Sequence, residues 1–215
     1  MVPLDFLAHG ARLTVWLSDL NRVSEWDLDA NKEIQSWLAP PFTWEFGVSP
    51  DDRLSIGVGR NGDVCGRNLP EQRDVNLPLD ALEGCGIAFS PAGDRLAIAS
   101  HLGFARVWRT DTWREEATLR GFLNAVDSVA FSPDGKRLAT GGSNPDDAVK
   151  LWDADSWQEL LTLEGTGSLF TSTAFSPDGN ALGTQSEDGF LHVWQAPSWE
   201  EINAAEARES TVASR

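Results

Sequence analysis

Hydrophobic and polar residues alternate in short runs broken by turn residues over nearly the whole chain. The clearest run is Val126 to Asp153, VDSVAFSPDGKRLATGGSNPDDAVKLWD. Its alternation up to Phe131 predicts a half-buried strand. The segment Ser132-Pro133-Asp134-Gly135 follows, with a proline that presets φ and a glycine that tolerates positive φ, and predicts a hairpin turn. A second strand is expected around Leu138, and a third closes on Val149 to Asp153.

This block recurs, and recurrence at a fixed period decides the architecture before any single element does. The apolar residue before the turn is Phe6, Val48, Phe89, Phe131 or Phe175, at separations of 42, 41, 42 and 44 residues. Leu13, Leu96, Leu138 and Leu182 lie seven residues further on, while Leu54 lies six on because its turn, Pro50-Asp51-Asp52-Arg53, is one residue shorter. The third strands are expected to end at Trp26, Cys65, Trp108, Trp152 and Trp194. Alternation within them predicts that Ser24, Asp63, Arg106, Lys150 and His192 share one polar, solvated face.

With Trp26-Asp27 and Trp152-Asp153 carrying a tryptophan-aspartate pair, and Trp108 and Trp194 keeping the tryptophan, the chain resembles the WD-repeat β-propeller family. In this reading Cys65-Gly66 keeps neither residue. The expected fold is all-β: a propeller of five four-stranded units, as an open arc or incomplete ring, with a short C-terminal helix. The units fall at 1–38, 39–79, 80–121, 122–165 and 166–197, and residues 198–215 form the helix and a frayed tail. That helix is predicted from Ser198 as N-cap with Glu201 three residues later. A sheet of four short strands needs neighbours on both faces, so tryptophans 26, 108, 152 and 194 are expected in the seams between units.

Two departures from the family matter. Its Gly-His pair is absent: Leu38-Ala39, Leu79-Asp80, Gly121-Phe122 and Gly165-Thr166 stand in that slot, although Asp146 and Asp188 hold the loop aspartate position. The ending from Phe175 to Glu206 resembles bacterial WD-repeat arrays, some of which follow a serine/threonine kinase domain. The resemblance therefore implies a sensing or docking appendage as one alternative, and upstream blades or a second copy as a means of completing the ring.

The formal net charge of −16 argues against nucleic acid or an anionic bilayer as a partner. The amino terminus lacks the pattern of a secretory signal, and no apolar run is long enough to cross a bilayer, which favours a soluble, cytoplasmic setting. Cys65 and Cys85 fit no CxxC spacing and read as small apolar residues.

Catalytic chemistry has little to build on. His9 falls in a turn, His192 on the polar face, and His101 in a loop without a second histidine at metal-ligand spacing. Glu45 and Asp127 lie near innermost strands, where some propellers outside this family hold an acid-base group or metal, but no Ser/His/Asp set or glycine-rich phosphate loop accompanies them. No catalytic residue, cofactor or metal is therefore expected. The family's implied role is a platform that binds a protein or peptide through the loops at one end. Phe42, Phe122, Leu123 and Phe170 are the apolar loop residues expected to anchor such a partner.

Overall fold

The computed structural model of the chain describes residues 4–6, 12–17, 22–38, 43–59, 63–75, 77, 79 and 83–196. They form five antiparallel sheets. The first contains β1 (Leu4–Phe6), β2 (Arg12–Leu17), β3 (Arg22–Asp27) and β4 (Lys32–Leu38). The second contains β5 (Thr43–Val48), β6 (Leu54–Gly59), β7 (Val64–Asn68) and β8 (Arg73–Val75). The third runs through β9 (Gly84–Phe89), β10 (Arg95–Ser100), β11 (Phe104–Arg109) and β12 (Glu115–Leu119), and the fourth through β13 (Val126–Phe131), β14 (Arg137–Gly142), β15 (Val149–Asp153) and β16 (Glu159–Leu163). The fifth has β17 (Phe170–Phe175), β18 (Ala181–Ser186) and β19 (Leu191–Gln195). Each sheet is a meander in chain order, and the fold is an all-β, five-bladed propeller. Among the described residues the one helical piece is a 3-10 turn at Pro145–Asp147, and the helix expected after residue 197 lies outside them.

First strands touch first strands: β5 packs on β9, β9 on β13 and β13 on β17, so these strands line the axis and the fourth strands face outward. The approach is close. A Cβ on Gly86 would come within 2.9 Å of the Ser128 Cα, so only glycine fits there. Side chains stitch neighbouring inner strands, with the Cys85 thiol donating to the Val126 carbonyl at 2.7 Å and the Ser128 hydroxyl to the Phe170 carbonyl at 2.7 Å.

Four apolar clusters fill four seams, each between blades adjacent in sequence. Val23 and Trp37 meet Phe46, Val48 and Leu69; Ile56 and Val58 meet Leu96, Ile98 and Trp108. Ala97, Ala99 and Val107 meet Val129, Leu138 and Trp152; Ala139 and Val149 meet Leu182, with Phe175 and Trp194 alongside. The residue before each tryptophan thus faces the next blade and the tryptophan faces the previous one. In the first seam that slot is Glu25, fully buried, which accepts from Arg12 at 3.0 Å and from Gln35 at 2.6 Å. Arg12 also reaches Asp52 across the seam, yet burial and the Glu25 carboxylate keep the Asp52 pKa above its usual value.

Among the described residues the fifth blade has no such neighbour. Leu191 is 72% and Val193 64% exposed on its outward face, whereas Val107 in the same slot of the third blade is 0% exposed. Among the described residues nothing covers that face, and no strand of the fifth blade is among the main packing partners of the first.

The turns repeat in their backbone and in the serine that closes them. In the fourth blade the Ser132 hydroxyl accepts from the Arg137 amide at 2.9 Å and donates to Asp134, and Gly135 sits at φ 70°. Ser90 and Ser176 make the same turns, with Gly93 and Gly179 at φ 72° and 73°. Ser49 repeats it with Asp52 at φ 57° in the glycine slot, its amide accepted by the Ser49 carbonyl.

That repetition corrects the register of the second blade. Its turn is not shortened, because Ser49 bonds the Leu54 carbonyl as Ser90 bonds Arg95 and Ser132 bonds Arg137. Leu54 therefore occupies the arginine slot, and Ser55, paired with Val48 and Arg67, occupies the leucine slot. Arg67-Asn68, not Cys65-Gly66, stands where the tryptophan-aspartate pair stands elsewhere. Asn68 caps the Glu71 amide just as Asp27 caps that of Ala30 and Asp153 that of Ser156.

The supposed solvated face of the third strands is corrected as well. It is the tryptophan's own face, turned to the previous blade. Ser24 is buried, and the Lys150 ammonium is held at 3.1 Å by Glu159, at 2.9 Å by Thr162, and over the Phe122 ring. His192 stacks on Trp194 with ring centroids 5.6 Å apart and accepts from the Thr166 amide at 2.8 Å.

Candidate functional site

Antiparallel order puts the loops after second strands and those before first strands at the same end of the blades. Two kinds of residue gather there, apolar loop tips and a polar group at the axis.

The axial group comes from a repeated irregularity. In four blades the inner strand carries one unpaired residue near its start: pairing passes from Gly84 to Gly86, from Val126 to Ser128, from Phe170 to Ser172 and from Thr43 to Glu45. The skipped residues are Cys85, Asp127, Thr171 and Trp44. A bulge redirects a side chain out of the alternation of the sheet, as at Cys85, Asp127 and Thr171. A second tier lies one residue past the second strand, at His101, Ser143 and Glu187 in the third, fourth and fifth blades.

Asp127 is where the tiers meet. It is buried, with Oδ2 accepting from the Ser143 hydroxyl at 2.5 Å and Oδ1 facing His101 Nε2 at 3.7 Å. Burial raises its pKa, and Glu187 adds to that, against opposing effects of the Ser143 hydrogen bond and His101. Burial also pushes the Cys85 thiol well up, helped by Asp127 and Glu45. One ligand atom each from Cys85, His101 and Asp127 lies within 4.8 Å of the other two. Sequence spacing hides this set, because the three residues sit on two blades and each position is filled differently in its neighbours. Equivalent positions in successive repeats, read as rings, are the signal that finds it.

The apolar loop residues behave differently from one another. Leu123 is 65% exposed, its amide donating at 2.8 Å to Asp147. Phe122 is half-buried, 6.0 Å from the Trp152 ring, and closes the top of the seam between the third and fourth blades. Phe170 is fully buried, so the expectation that it faces solvent is corrected: its ring packs edge-on against His192. Phe42, like His9, lies outside the described residues. Leu102 and Leu169, which the sequence reading passed over, are exposed on loops of the same end. The loop carboxylate of the fourth blade is also displaced by one residue. The 3-10 turn leaves Asp146 exposed and turns Asp147 inward.

With the repeat geometry in hand, comparison with known proteins is direct. The family model "WD domain, G-beta repeat" matches residues 113–153 and 157–195. Those two stretches make up less than half of the chain. Each WD40 match begins at an outer strand, β12 or β16, and ends with the third strand of the next blade, so the sequence repeat straddles two sheets. The chain is 27% identical over 128 residues to the WD repeat-containing protein SL1-17 of Schistosoma mansoni, a match covering 59% of this chain and 42% of that protein. It superposes on a chain in the crystal structure of the mitotic checkpoint complex with a TM-score of 0.73 and 19% identity, covering 90% of this chain and 62% of that one. The chain thus spans less than half the length of its curated WD-repeat relative and under two thirds of that structural neighbour. No helix among the described residues is long and apolar enough to cross a membrane.

Proposed function

We propose that this WD40 propeller is a non-catalytic interaction platform that binds a protein or peptide through the loop end of its blades. The observation that carries the reading is the presentation of Leu102, Leu123 and Leu169, all exposed, on loops of that single end. Apolar side chains on a rigid frame bind with little loss of backbone freedom, and binding energy concentrates on a few such anchors. Phe122 serves as the floor beneath Leu123 rather than as an anchor of its own. The structural neighbour from a multiprotein checkpoint complex agrees with a scaffold role.

The test is affinity capture with the wild-type chain and a Leu102→Ser/Leu123→Ser variant from the same lysate. The partners retained by the wild type are lost by the variant at unchanged melting temperature. Identical capture by both would overturn the reading.

A second reading, a docking unit appended to a larger effector such as a bacterial serine/threonine kinase, draws support from the bare face at Leu191 and Val193, which suits a junction with further chain. Expression from the complete coding sequence, followed by size-exclusion with light scattering, distinguishes the two.

A further inference from the structure

We propose that Cys85, His101 and Asp127 form a binding site for a soft divalent cation, of the zinc class, at the axial mouth of the third and fourth blades. Three features of the fold converge on it. Two consecutive inner-strand bulges aim Cys85 and Asp127 out of their sheets toward the same side, and the first residue past β10 brings His101 over them. One donor atom from each lies within 4.8 Å of the others, and the His101 to Asp127 edge is already 3.7 Å. Tetrahedral zinc with bonds of about 2.0–2.3 Å needs ligand-to-ligand edges of about 3.3–3.7 Å. The remaining contraction is about an ångström, within reach of side-chain rotation by the half-exposed His101.

The donor set selects the class of ion. Sulfur, imidazole nitrogen and one carboxylate oxygen suit zinc and its neighbours, whereas calcium and magnesium require oxygen shells. The Ser143 hydroxyl occupies Asp127 Oδ2 and leaves Oδ1 for the ion, an outer hydrogen bond of the kind that orients metal ligands. Glu45 and Glu187 add negative charge nearby. A nucleophilic relay is a poorer fit, because it needs the imidazole between thiol and carboxylate, whereas here each donor atom lies within 4.8 Å of both others. On binding, the Cys85 S–H gives up its hydrogen bond to Val126 and releases its proton to solvent, and the sulfur lone pair enters the metal bond. His101, 46% exposed, leaves a path of entry from solvent.

Cobalt(II) titration of chelator-treated full chain tests the site. The expected result is a near-ultraviolet thiolate-to-cobalt charge-transfer band that saturates at one equivalent and is displaced by zinc. Cys85→Ala abolishes the band, Cys65→Ala leaves it intact, and Ser143→Ala weakens affinity about 10–100-fold. His101→Ala, at an exposed position that does not threaten folding, weakens it by at least as much, and a given zinc concentration raises its melting temperature less than that of the wild type. Absence of the band in the wild type, its loss in Cys65→Ala, or an unchanged affinity in His101→Ala would each overturn the site.

Discussion

Val107 and Val193 occupy the same slot in two copies of one repeat, immediately before the third-strand tryptophan, and meet opposite fates. Val107 lies in the seam between the third and fourth blades, completely buried with Ala97, Ala99 and Leu138, while Val193 on the outward face of the fifth blade is mostly exposed. The local sequence is equally apolar in both. What differs is the neighbour. In a repeat array the energy of a residue belongs to the seam rather than to the blade, so stability is a sum over interfaces and the two ends carry faces that contribute little.

The largest effect that would sharpen this contrast is at the tryptophans. Trp152 is buried between blades and donates from Nε1 to Thr140 at 2.9 Å, so Trp152→Ala should cost about 3–5 kcal/mol. Trp26 faces the side of the first blade that no preceding blade covers in the described residues, and it is only half-buried. Trp26→Ala should therefore cost clearly less. Denaturant melts of both variants measure the difference, and equal losses would mean that the tryptophan stabilises its own sheet rather than the seam.

A smaller effect addresses the valines themselves. Val107→Ala removes two buried methyl groups and opens a small cavity, costing about 2 kcal/mol. Val193→Ala should stay within about 0.5 kcal/mol, as exposed substitutions do. A large loss at Val193 in the isolated chain, growing with protein concentration, would show that its face is covered by another copy.

The same distinction explains what could be read before the structure. The blades, their order and their turns were legible because a serine-proline turn and an alternating strand are local facts: Ser132, Asp134 and Gly135 make their hydrogen bonds within six residues. The second blade was misread where a local substitution imitated a shift. Leu54 looked like the repeat leucine, but Asp52 adopts the glycine conformation and keeps the turn at full length, which places Arg67 in the tryptophan slot. Phe170 and His192 were misread because their surroundings are supplied by one another, by Ser128 of the fourth blade and by the Thr166 amide in the loop that follows it. The axial cluster was illegible for the same reason, since Cys85 meets Asp127 only after two blades have packed.

The smallest expected effect lies in the turns, where it should be indifferent to position along the array. Asp134 and Asp178 both have carboxyls held below the ordinary value of 3.8, chiefly by hydrogen bonds from Ser132 and Ser176 and then from backbone amides. A depressed folded pKa means that the stabilisation is fully present above the ordinary aspartate value and is lost as pH falls through the lower folded value. Asp134→Asn and Asp178→Asn should each flatten the acid limb of the stability curve below about pH 4. The two flattenings should be similar, although one turn joins a blade packed on both faces and the other a blade packed on one, because each turn closes its bonds within itself. A response confined to Asp134 would show that the turns, too, depend on their neighbours, and the division between local turns and shared seams would fail.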